Sequence, residues 1–317
     1  MQLASRSANF RPRLLKPNEH AHGVLTAVRG YLIGVSPEKT MTDLLAQFHI
    51  SEPAEGYWRI SFSNPPVNML GTQTIVELQE IINRIEESET LRVVVFESAI
   101  EQFFLGRYDI SGVGAGSQDL GTTGLPPFLD IATRLANSSV VSIALVRGRA
   151  RGGGAELALA CDMRFASIEK AIFGQPEVGA GFLPGGGAIE RLPVLTGRAR
   201  ALEIILGSND FDAITAEKYG WINQALPDAD LDSFVDALAR RLASFGGESL
   251  REAKRLVSRG LVPEIDQYRE TFGALIESGG WPSTAKRREL LRERATLAGL
   301  DFEINLGHYL GPSASLS

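Results

Sequence analysis

Residues 148–177 constrain the fold of this chain more than any other stretch. They contain three consecutive glycines at positions 152–154, followed at once by Ala155, Glu156 and an apolar helical segment. A helix that begins on glycines exposes backbone N–H groups that have no intrahelical acceptor, and the helix dipole adds positive potential at that end. The sequence therefore predicts a helix start that can bind a negatively charged oxygen.

The apolar segment makes Glu156 a candidate for acid–base chemistry. Residues 157–161 leave no polar face, and a helix that is apolar all round is normally buried. Burial of an unpaired carboxylate is costly or raises its pKa, and a raised pKa suits general acid–base catalysis near neutral pH. The segment alone is equally consistent with a structural role, in which Glu156 uses the helix dipole or pairs with Arg149 or Arg151.

Composition and charge exclude several classes of protein. The 317 residues are 44% hydrophobic and carry a formal net charge of -6, which predicts a globular protein with a sizeable core and no nucleic-acid partner. No apolar run reaches the length of a membrane-spanning helix, so no membrane partner is expected. The single cysteine, Cys161, excludes an intrachain disulfide, agrees with a cytoplasmic location and is interpreted as a packing residue.

The sequence has few residues that would support a catalytic triad, a metal site or a nucleotide-binding site. The four histidines, at positions 20, 22, 49 and 308, lie far from the glycine run, which disfavours a catalytic triad and a metal site. The glycines at 112, 114 and 116 do not have the spacing of a dinucleotide-binding turn, and the chain has no P-loop motif. We therefore expect neither a metal nor a nucleotide cofactor.

Strand and helix patterns divide the chain into three regions. Apolar and polar residues alternate from Tyr57, apolar residues at 75, 78, 82 and 85 form one helical stripe, and the runs 91–96 and 140–146 are typical of buried strands. From residue 248 the pattern is helical and charged. The sequence thus predicts an N-terminal extension of unknown role over 1–56, an α/β core over 57–247 and a helical C-terminal region over 248–317.

Three further segments carry weaker signals. Residues 1–17 have four basic residues and no acidic residue, which is compatible with a transit peptide or with a mobile extension. An organellar matrix, mitochondrial or peroxisomal, is therefore the alternative to a cytoplasmic location. Residues 40–48 favour a short helix, and the glycine-rich residues 106–124 predict a long loop.

A second carboxylate, Glu177, gains importance from the residues around it, although a Pro-Glu dipeptide alone is usually solvated. It lies in the segment FGQPEVGAGFLPGGGAIERL, which together with the glycine run closely resembles the signature of the enoyl-CoA hydratase/isomerase, or crotonase, family. The matching residues are Gly152, Gly153, Gly154, Glu156, Cys161, Asp162, Ala166, Ser167, Phe173, Gly174, Gln175, Pro176, Glu177, Pro184, Gly185, Gly186, Gly187, Arg191 and Leu192. Two shorter elements, Asn68-Met69-Leu70 and Phe104-Leu105-Gly106 with Asp109-Ile110, extend the resemblance over about residues 57–245.

The resemblance implies a fold, a ligand and an assembly. The fold would be a crotonase-like spiral of β-β-α units, an α/β class, with an α-helical C-terminal region that makes the contacts of a homotrimer or a dimer of trimers. The ligand would be an acyl-CoA thioester, so that coenzyme A belongs to the substrate and no separate cofactor is needed.

Family resemblance also implies the roles of individual residues. The backbone N–H groups of Leu105 and Gly153 would form an oxyanion hole for the thioester oxygen, and Gly106 and Asp109 would join them in binding the substrate. Glu156 and Glu177 match the two catalytic glutamates. In a hydratase they hold a water molecule that adds to the β-carbon while the α-carbon receives a proton, chiefly through Glu177.

The sequence departs from the family pattern at several places, one of which is a single further residue between Ala166 and Phe173. Arg107 and Tyr108 separate Gly106 from Asp109, one residue more than usual, and Leu105 is bulkier than the customary alanine. The C-terminal element that normally closes over the acyl chain is replaced by GGWPSTAKRRELLRERATLAGLDFEINLG, in which the cluster 286–288 is, with Lys254, a candidate for binding the CoA phosphates.

The resemblance favours an enoyl-CoA hydratase-like enzyme that adds water across the 2,3 double bond of an acyl-CoA thioester, and three alternatives to it stay open. An enoyl-CoA isomerase would need only one well-placed carboxylate, for which Glu177 is the candidate. Another acyl-CoA-processing relative would act on a different acyl group, for example by decarboxylation. A non-catalytic relative would use the fold to bind an acyl group, nucleic acid or a partner chain, although the two glutamates and the acidic charge argue against it.

Overall fold

A central sheet with helices on both faces organises the chain. A computed structural model describes residues 45–109 and 120–312. The strands are β1 Phe48–Ala54, β2 Tyr57–Phe62, β3 Val93–Ser98, β4 Val141–Val146, β5 Arg149–Arg151, β6 Met163–Ser167, β7 Ile172–Gly174, β8 Asp210–Asp212 and β9 Gln224–Leu226. The helices up to the end of the core are α1 Thr72–Glu87, α2 Pro127–Asn137, α3 Gly153–Ala160, α4 Glu177–Ala180, α5 Ala188–Thr196, α6 Arg198–Gly207, α7 Ala213–Tyr219 and α8 Asp228–Ala243.

The larger sheet has the order β1-β2-β3-β4-β6-β9. All neighbouring pairs are parallel except the antiparallel pair β1 and β2. Along β3, Val93 and Val95 pack toward α8, whereas Val94 and Phe96 pack into the larger core on the opposite face. This double burial explains the continuous apolar runs of the sequence and confirms the strand predictions over 91–96 and 140–146.

The sheet begins earlier in the chain than the predicted start at Tyr57. Strand β1 pairs with β2, and its Phe48 is buried with its ring stacked on that of Phe62 at a centroid distance of 4.7 Å. The predicted short helix over 40–48 is therefore wrong at Phe48, and residues 40–44 lie outside the described part of the chain. The pattern was missed because β1 is an edge strand, most of whose side chains remain accessible.

A second, smaller sheet carries the glycine run. It has the order β5-β7-β8, and β5 leads through Gly152 directly into α3. All eight residues of α3 are buried, as the apolar segment predicts. At its carboxyl end the buried guanidinium of Arg164 donates to the carbonyl oxygens of Ala158 and Cys161, at 3.3 and 2.7 Å, where a positive charge complements the helix dipole.

The C-terminal region is helical, as predicted. Its helices are α9 Gly247–Val257, α10 Ile265–Ser278, α11 Pro282–Ala298, α12 Leu300–Ile304 and α13 Leu306–Leu310. The last two turn back on the core, where Phe302, Leu306 and Leu310 form a small apolar cluster against Ala180 of α4. In the described residues, no helix has the length and apolar character of a membrane span.

Helix α3 crosses the segment 103–108 with backbone against backbone. The Gly154 N–H donates to the Gly106 carbonyl at 3.0 Å, and the Gly106 N–H donates to the Asn68 carbonyl at 2.7 Å. A Cβ atom on Gly154 would lie 1.8 Å from the Leu105 carbonyl oxygen. Because the obstacle is backbone rather than a flexible side chain, this position requires glycine.

Gly154→Ala tests the crossing. Overpacking in a core typically costs about 1–3 kcal/mol, and a clash with fixed backbone lies at or above the upper end of that range. We expect Tm to fall by roughly 5 °C or more in a thermal melt. Gly273→Ala is the matched control, because Gly273 is a helical glycine of α10 with open space around its Cβ position, where alanine favours the helix. Equal melting temperatures for the two variants would contradict the crossing.

Candidate active site

The glycine turn forms one wall of the site. Gly152 has a positive φ of 53° and donates its N–H to the Gly174 carbonyl at 3.0 Å, which joins the turn to β7. Gly153 is the first residue of α3, so its N–H has no intrahelical acceptor. Within the part of the chain that the structure describes, this N–H donates to no other group. The predicted helix start with a free donor is therefore present.

A second donor lies on the segment that crosses α3. The N–H groups of Phe104 and Gly106 donate to the carbonyls of Arg149 and Asn68, at 3.0 and 2.7 Å. The Leu105 N–H between them donates no hydrogen bond to any described residue. The Leu105 carbonyl borders the Gly154 Cβ position, so the structure brings the Leu105 and Gly153 backbones together.

Glu156 is buried one helical turn beyond Gly152, with 4% of its surface exposed. Its Oε1 accepts the N–H groups of Gly186 and Ala188, at 2.7 and 3.3 Å. Burial raises the pKa of this carboxyl to about 7, and the two N–H donors oppose the rise because they stabilise the ionised form. Arg149 and Arg151 bind other acceptors, so the alternative pairing of Glu156 with either arginine does not occur.

Glu177 faces the same turn from α4. It is 8% exposed, its Oε2 has no hydrogen-bond partner among the described residues, and its Oε1 lies 2.6 Å from where a Cβ on Gly152 would be. Burial, followed by the charge of Glu156, raises the pKa of Glu177 well above its ordinary value. The structure thus brings together the two predicted glutamates.

Glu156 and Glu177 have different surroundings, which affect how readily each of them is protonated. Two neighbouring buried carboxylates cannot both ionise readily, so one proton stays on the pair near neutral pH. Glu156 accepts two backbone hydrogen bonds that favour its ionised form, whereas the Glu177 Oε2 accepts none from the described residues. This difference favours the ionised form of Glu156 and the neutral form of Glu177.

Aromatic side chains line the space between the donors and the glutamates. A Cβ atom added to Gly153 would lie 3.8 Å from the Phe128 ring. A Cβ atom added to Gly186 would lie 2.5 Å from the same ring and 2.3 Å from Glu156 Oε2. Tyr108 packs edge-on against Phe128, with ring centroids 6.2 Å apart. The sequence did not identify Phe128, because it lies between the motifs, outside all of them, and resembles an ordinary core residue.

Arg191 supports the loop that holds Glu156. Its guanidinium donates to the carbonyls of Gly186 and Ala132, each at 3.3 Å, and lies 5.1 Å from the centre of the Tyr268 ring. This arginine was part of the matching motif, yet the motif gave it no role. Its contacts show that it connects the Gly186 loop to α2 and α10.

The additional residue in the segment after Gly106 is accommodated without breaking the crossing. The Arg107 carbonyl accepts the Leu70 N–H at 3.1 Å, and the Asp109 N–H donates to the Leu70 carbonyl at 2.9 Å. Leu70 itself borders Gly153, with its Cδ1 2.8 Å from the Cβ position of that glycine. Leu105, Gly106 and Asp109, which were predicted to contact the substrate, therefore lie along one border of the site.

Two of the cations suggested for binding CoA phosphates are already engaged. Lys254 Nζ lies 2.7 Å from Asp162 Oδ2 and donates to the Val140 carbonyl at 2.9 Å. Arg287 Nε donates to the Gly179 carbonyl at 2.6 Å. Both side chains donate hydrogen bonds to backbone carbonyls of the protein itself. Lys286, in contrast, is exposed.

Comparisons with known proteins agree with the geometry. The family model described as Enoyl-CoA hydratase/isomerase matches residues 52–279. The chain is 31% identical over 204 residues to the short-chain-enoyl-CoA hydratase of Clostridium acetobutylicum, covering 63% of this chain and 76% of that protein. It is 30% identical over 205 residues to the crotonyl-CoA hydratase of Syntrophomonas wolfei, covering 63% and 77%.

A solved structure gives the same result for the fold. The structure, described as that of a "putative enoyl-CoA hydratase" from Streptomyces avermitilis, is 34% identical in sequence and superposes with a TM-score of 0.79. The match covers 87% of this chain and 100% of that one. With the family model spanning most of the chain, these similarities establish that the protein belongs to the enoyl-CoA hydratase/isomerase, or crotonase, family and has the crotonase fold.

Proposed function

We propose that the protein is an enoyl-CoA hydratase, which adds water across the 2,3 double bond of an acyl-CoA thioester. The observation that carries the proposal is the pair of buried carboxyls, Glu156 and Glu177, on either side of the glycine turn. One is held ionised by backbone donors and the other retains a proton, which is the combination that hydration requires. The names of the Clostridium and Syntrophomonas relatives support the same activity.

In the proposed reaction, a water molecule lies between the two carboxyls. Its O–H bond breaks as its oxygen bonds to the β-carbon, and the Glu156 carboxylate takes the released proton. The electron pair of the double bond moves toward the thioester oxygen, and Glu177 gives its proton to the α-carbon. A proton then passes from Glu156 to Glu177, which restores the starting state.

Two backbone donors stabilise the charge that develops on the thioester oxygen. The N–H groups of Leu105 and Gly153 have no acceptor in the described residues, so both are available to the substrate. Their positions are fixed by the crossing at Gly154. A preorganised donor of this kind contributes about 3 kcal/mol to catalysis. The reaction needs no cofactor beyond the coenzyme A of the substrate.

Enoyl-CoA isomerisation is the second candidate. It is favoured by the unequal hydrogen bonding of the two carboxyls, because Glu156 accepts two backbone N–H groups whereas the Glu177 Oε2 accepts none from the described residues. A single carboxyl can move a proton between the α- and γ-carbons of an enoyl-CoA. Glu156→Gln separates the candidates, since a hydratase should lose most of its activity and an isomerase should retain it.

Hydration is measured directly as the loss of enoyl absorbance with crotonyl-CoA and a longer homologue. We expect the wild type to be active and Glu177→Gln to lower kcat by about a thousandfold, because general acid–base catalysis typically contributes about 10²–10⁴-fold. Glu217→Gln, which removes an exposed carboxylate on α7, should be unaffected. Absence of hydration in the wild type, or full activity in Glu177→Gln, would exclude the proposed function.

The shared proton predicts the pH dependence of kcat/KM. As the pH falls through about 7, Glu156 becomes protonated and can no longer accept the proton of water, so the rate should decline. As the pH rises past the raised pKa of Glu177, the donor for the α-carbon is lost and the rate should decline again. The expected profile is bell-shaped, and a flat profile between about pH 5 and 9 would contradict the assignment.

We propose further that the protein forms a homotrimer or a dimer of trimers through its C-terminal helices. Helix α9 has apolar residues but no buried residue, and Val257 at its end is 73% exposed. Other large apolar side chains of this region are exposed as well, at Leu256, Leu261, Ile276 and Trp281. Apolar surface of this extent is typical of a protein interface.

Val257→Glu tests this assembly by sedimentation equilibrium. A charge in the proposed interface should shift the protein toward monomers, because the carboxylate would lose its water on association. Val76→Glu places the same charge on an exposed position of α1 and should leave the mass unchanged. A wild-type protein that sediments as a monomer would refute the proposal.

A further inference from the structure

Glu303, near the end of α12, contacts both Arg107 and Arg151, each of which lies two positions from a proposed oxyanion donor. Its carboxylate receives two hydrogen bonds from Arg107, from Nη2 at 2.6 Å and from Nε at 3.3 Å. Its backbone carbonyl accepts a hydrogen bond from Arg151. Arg107 follows Leu105 by two positions, and Arg151 precedes Gly153 by two positions.

The Arg107 side of this connection fixes the extended segment. The Arg107 carbonyl is bound by the Leu70 N–H, and the Arg107 Cβ lies 3.4 Å from where a Cβ on Gly152 would be. The side chains of Arg107 and Glu303 are 25% and 16% exposed, so solvent screens their interaction only in part. One of the two residues between Gly106 and Asp109, Arg107, is thus held by an ion pair.

The Arg151 side fixes the strand that enters the glycine turn. Arg151 pairs with Asp210, from Nη2 to Oδ2 at 2.5 Å, and donates to the Ile304 carbonyl at 3.0 Å. Arg149 donates to the same carbonyl at 2.7 Å. The two arginines bind the last carbonyls of α12, where a positive charge also complements the helix dipole.

From these contacts we infer that Glu303 is a positioning residue, which fixes the spacing of the Leu105 and Gly153 N–H groups from behind the site. The inference rests on the proposed function, because it assumes that these two donors bind the thioester oxygen. The donors belong to segments far apart in the chain, and their direct contact is made through Gly154. Glu303 provides a second contact, which resists movement of one segment along the other.

Loss of the positioning by Glu303 should slow the chemical step rather than weaken the binding of the substrate. A donor that is displaced by a fraction of an ångström still binds the ground-state carbonyl, but it stabilises the developing negative charge less well. Because CoA binding involves a much larger surface, affinity should change little. A residue that only stabilised the fold would lower Tm and would leave the properties of the bound thioester unchanged.

Glu303→Gln tests the inference on the full-length protein. We expect kcat for crotonyl-CoA hydration to fall about tenfold, with the Kd for butyryl-CoA, which cannot be hydrated, changing less than about twofold. The infrared carbonyl stretch of ¹³C-labelled butyryl-CoA should move on binding to the wild type and move less on binding to the variant, because hydrogen bonds to the oxygen weaken the C=O bond. Glu303→Asp should give an intermediate result.

A matched control and a double variant isolate the ion pair. Glu86→Gln removes another Arg–Glu pair between two elements, with Arg134, and should change neither kcat nor the carbonyl stretch. Combining Arg107→Gln with Glu303→Gln should lower kcat no further than the more damaging single variant, because both changes remove the same interaction.

The outcomes distinguish this inference from the proposed function. If the wild type hydrates crotonyl-CoA but Glu303→Gln retains full kcat and the wild-type carbonyl stretch, the positioning role is refuted and the hydratase stands. A Glu303→Gln variant that has a lower Tm, but the kcat and the carbonyl stretch of the wild type, also refutes the positioning role, because Glu303 would then only stabilise the fold. If the wild type does not hydrate enoyl-CoA but the bound carbonyl still depends on Glu303, the positioning role stands and the hydratase fails.

Discussion

The structure depends on one close contact between two backbones. Helix α3 and the segment that carries Leu105 meet at Gly154, where even a single Cβ would overlap a carbonyl oxygen. The contact is possible only because no side chain intervenes, and it is closed by the hydrogen bond from Gly154 N–H to the Gly106 carbonyl. Two donors from distant parts of the chain are thereby presented to one place. A flexible loop alone would not give them a fixed spacing.

Burial of two carboxyls beside this contact opposes folding, and the surrounding residues offset that effect in different ways. Glu156 gains two backbone hydrogen bonds from the loop that Arg191 supports. Glu177 has no such compensation at Oε2 from the described residues, so its neutral form is favoured. The apolar helix α3 anchors the turn by burying every one of its residues. The same environment that makes the pair unfavourable therefore raises the pKa of both carboxyls, and raised values of this kind suit acid–base chemistry.

The sequence predicted those features that a local pattern encodes. Strands β3 and β4 follow from continuous apolar runs, α1 follows from its apolar stripe, and α3 with Glu156 follows from glycines before an apolar segment. Strand β1 was missed because it is defined by pairing with β2 rather than by a pattern of its own. The engagement of Lys254 was missed for a similar reason, since its partners are Asp162 and Val140, far away in the chain.

The ion pair between Arg107 and Glu303 is the clearest example of a contact that local sequence patterns do not predict. The two residues are 196 positions apart, so their contact exists only in the folded chain. A longer segment after Gly106 has more conformations to lose on ordering. The structure shows that the side chain of Arg107, in this longer segment, is bound by the C-terminal helix α12, in the region where the sequence departs furthest from the family pattern. The two departures are therefore physically connected, because the unusual C-terminal region supplies the residue that restrains the unusual loop.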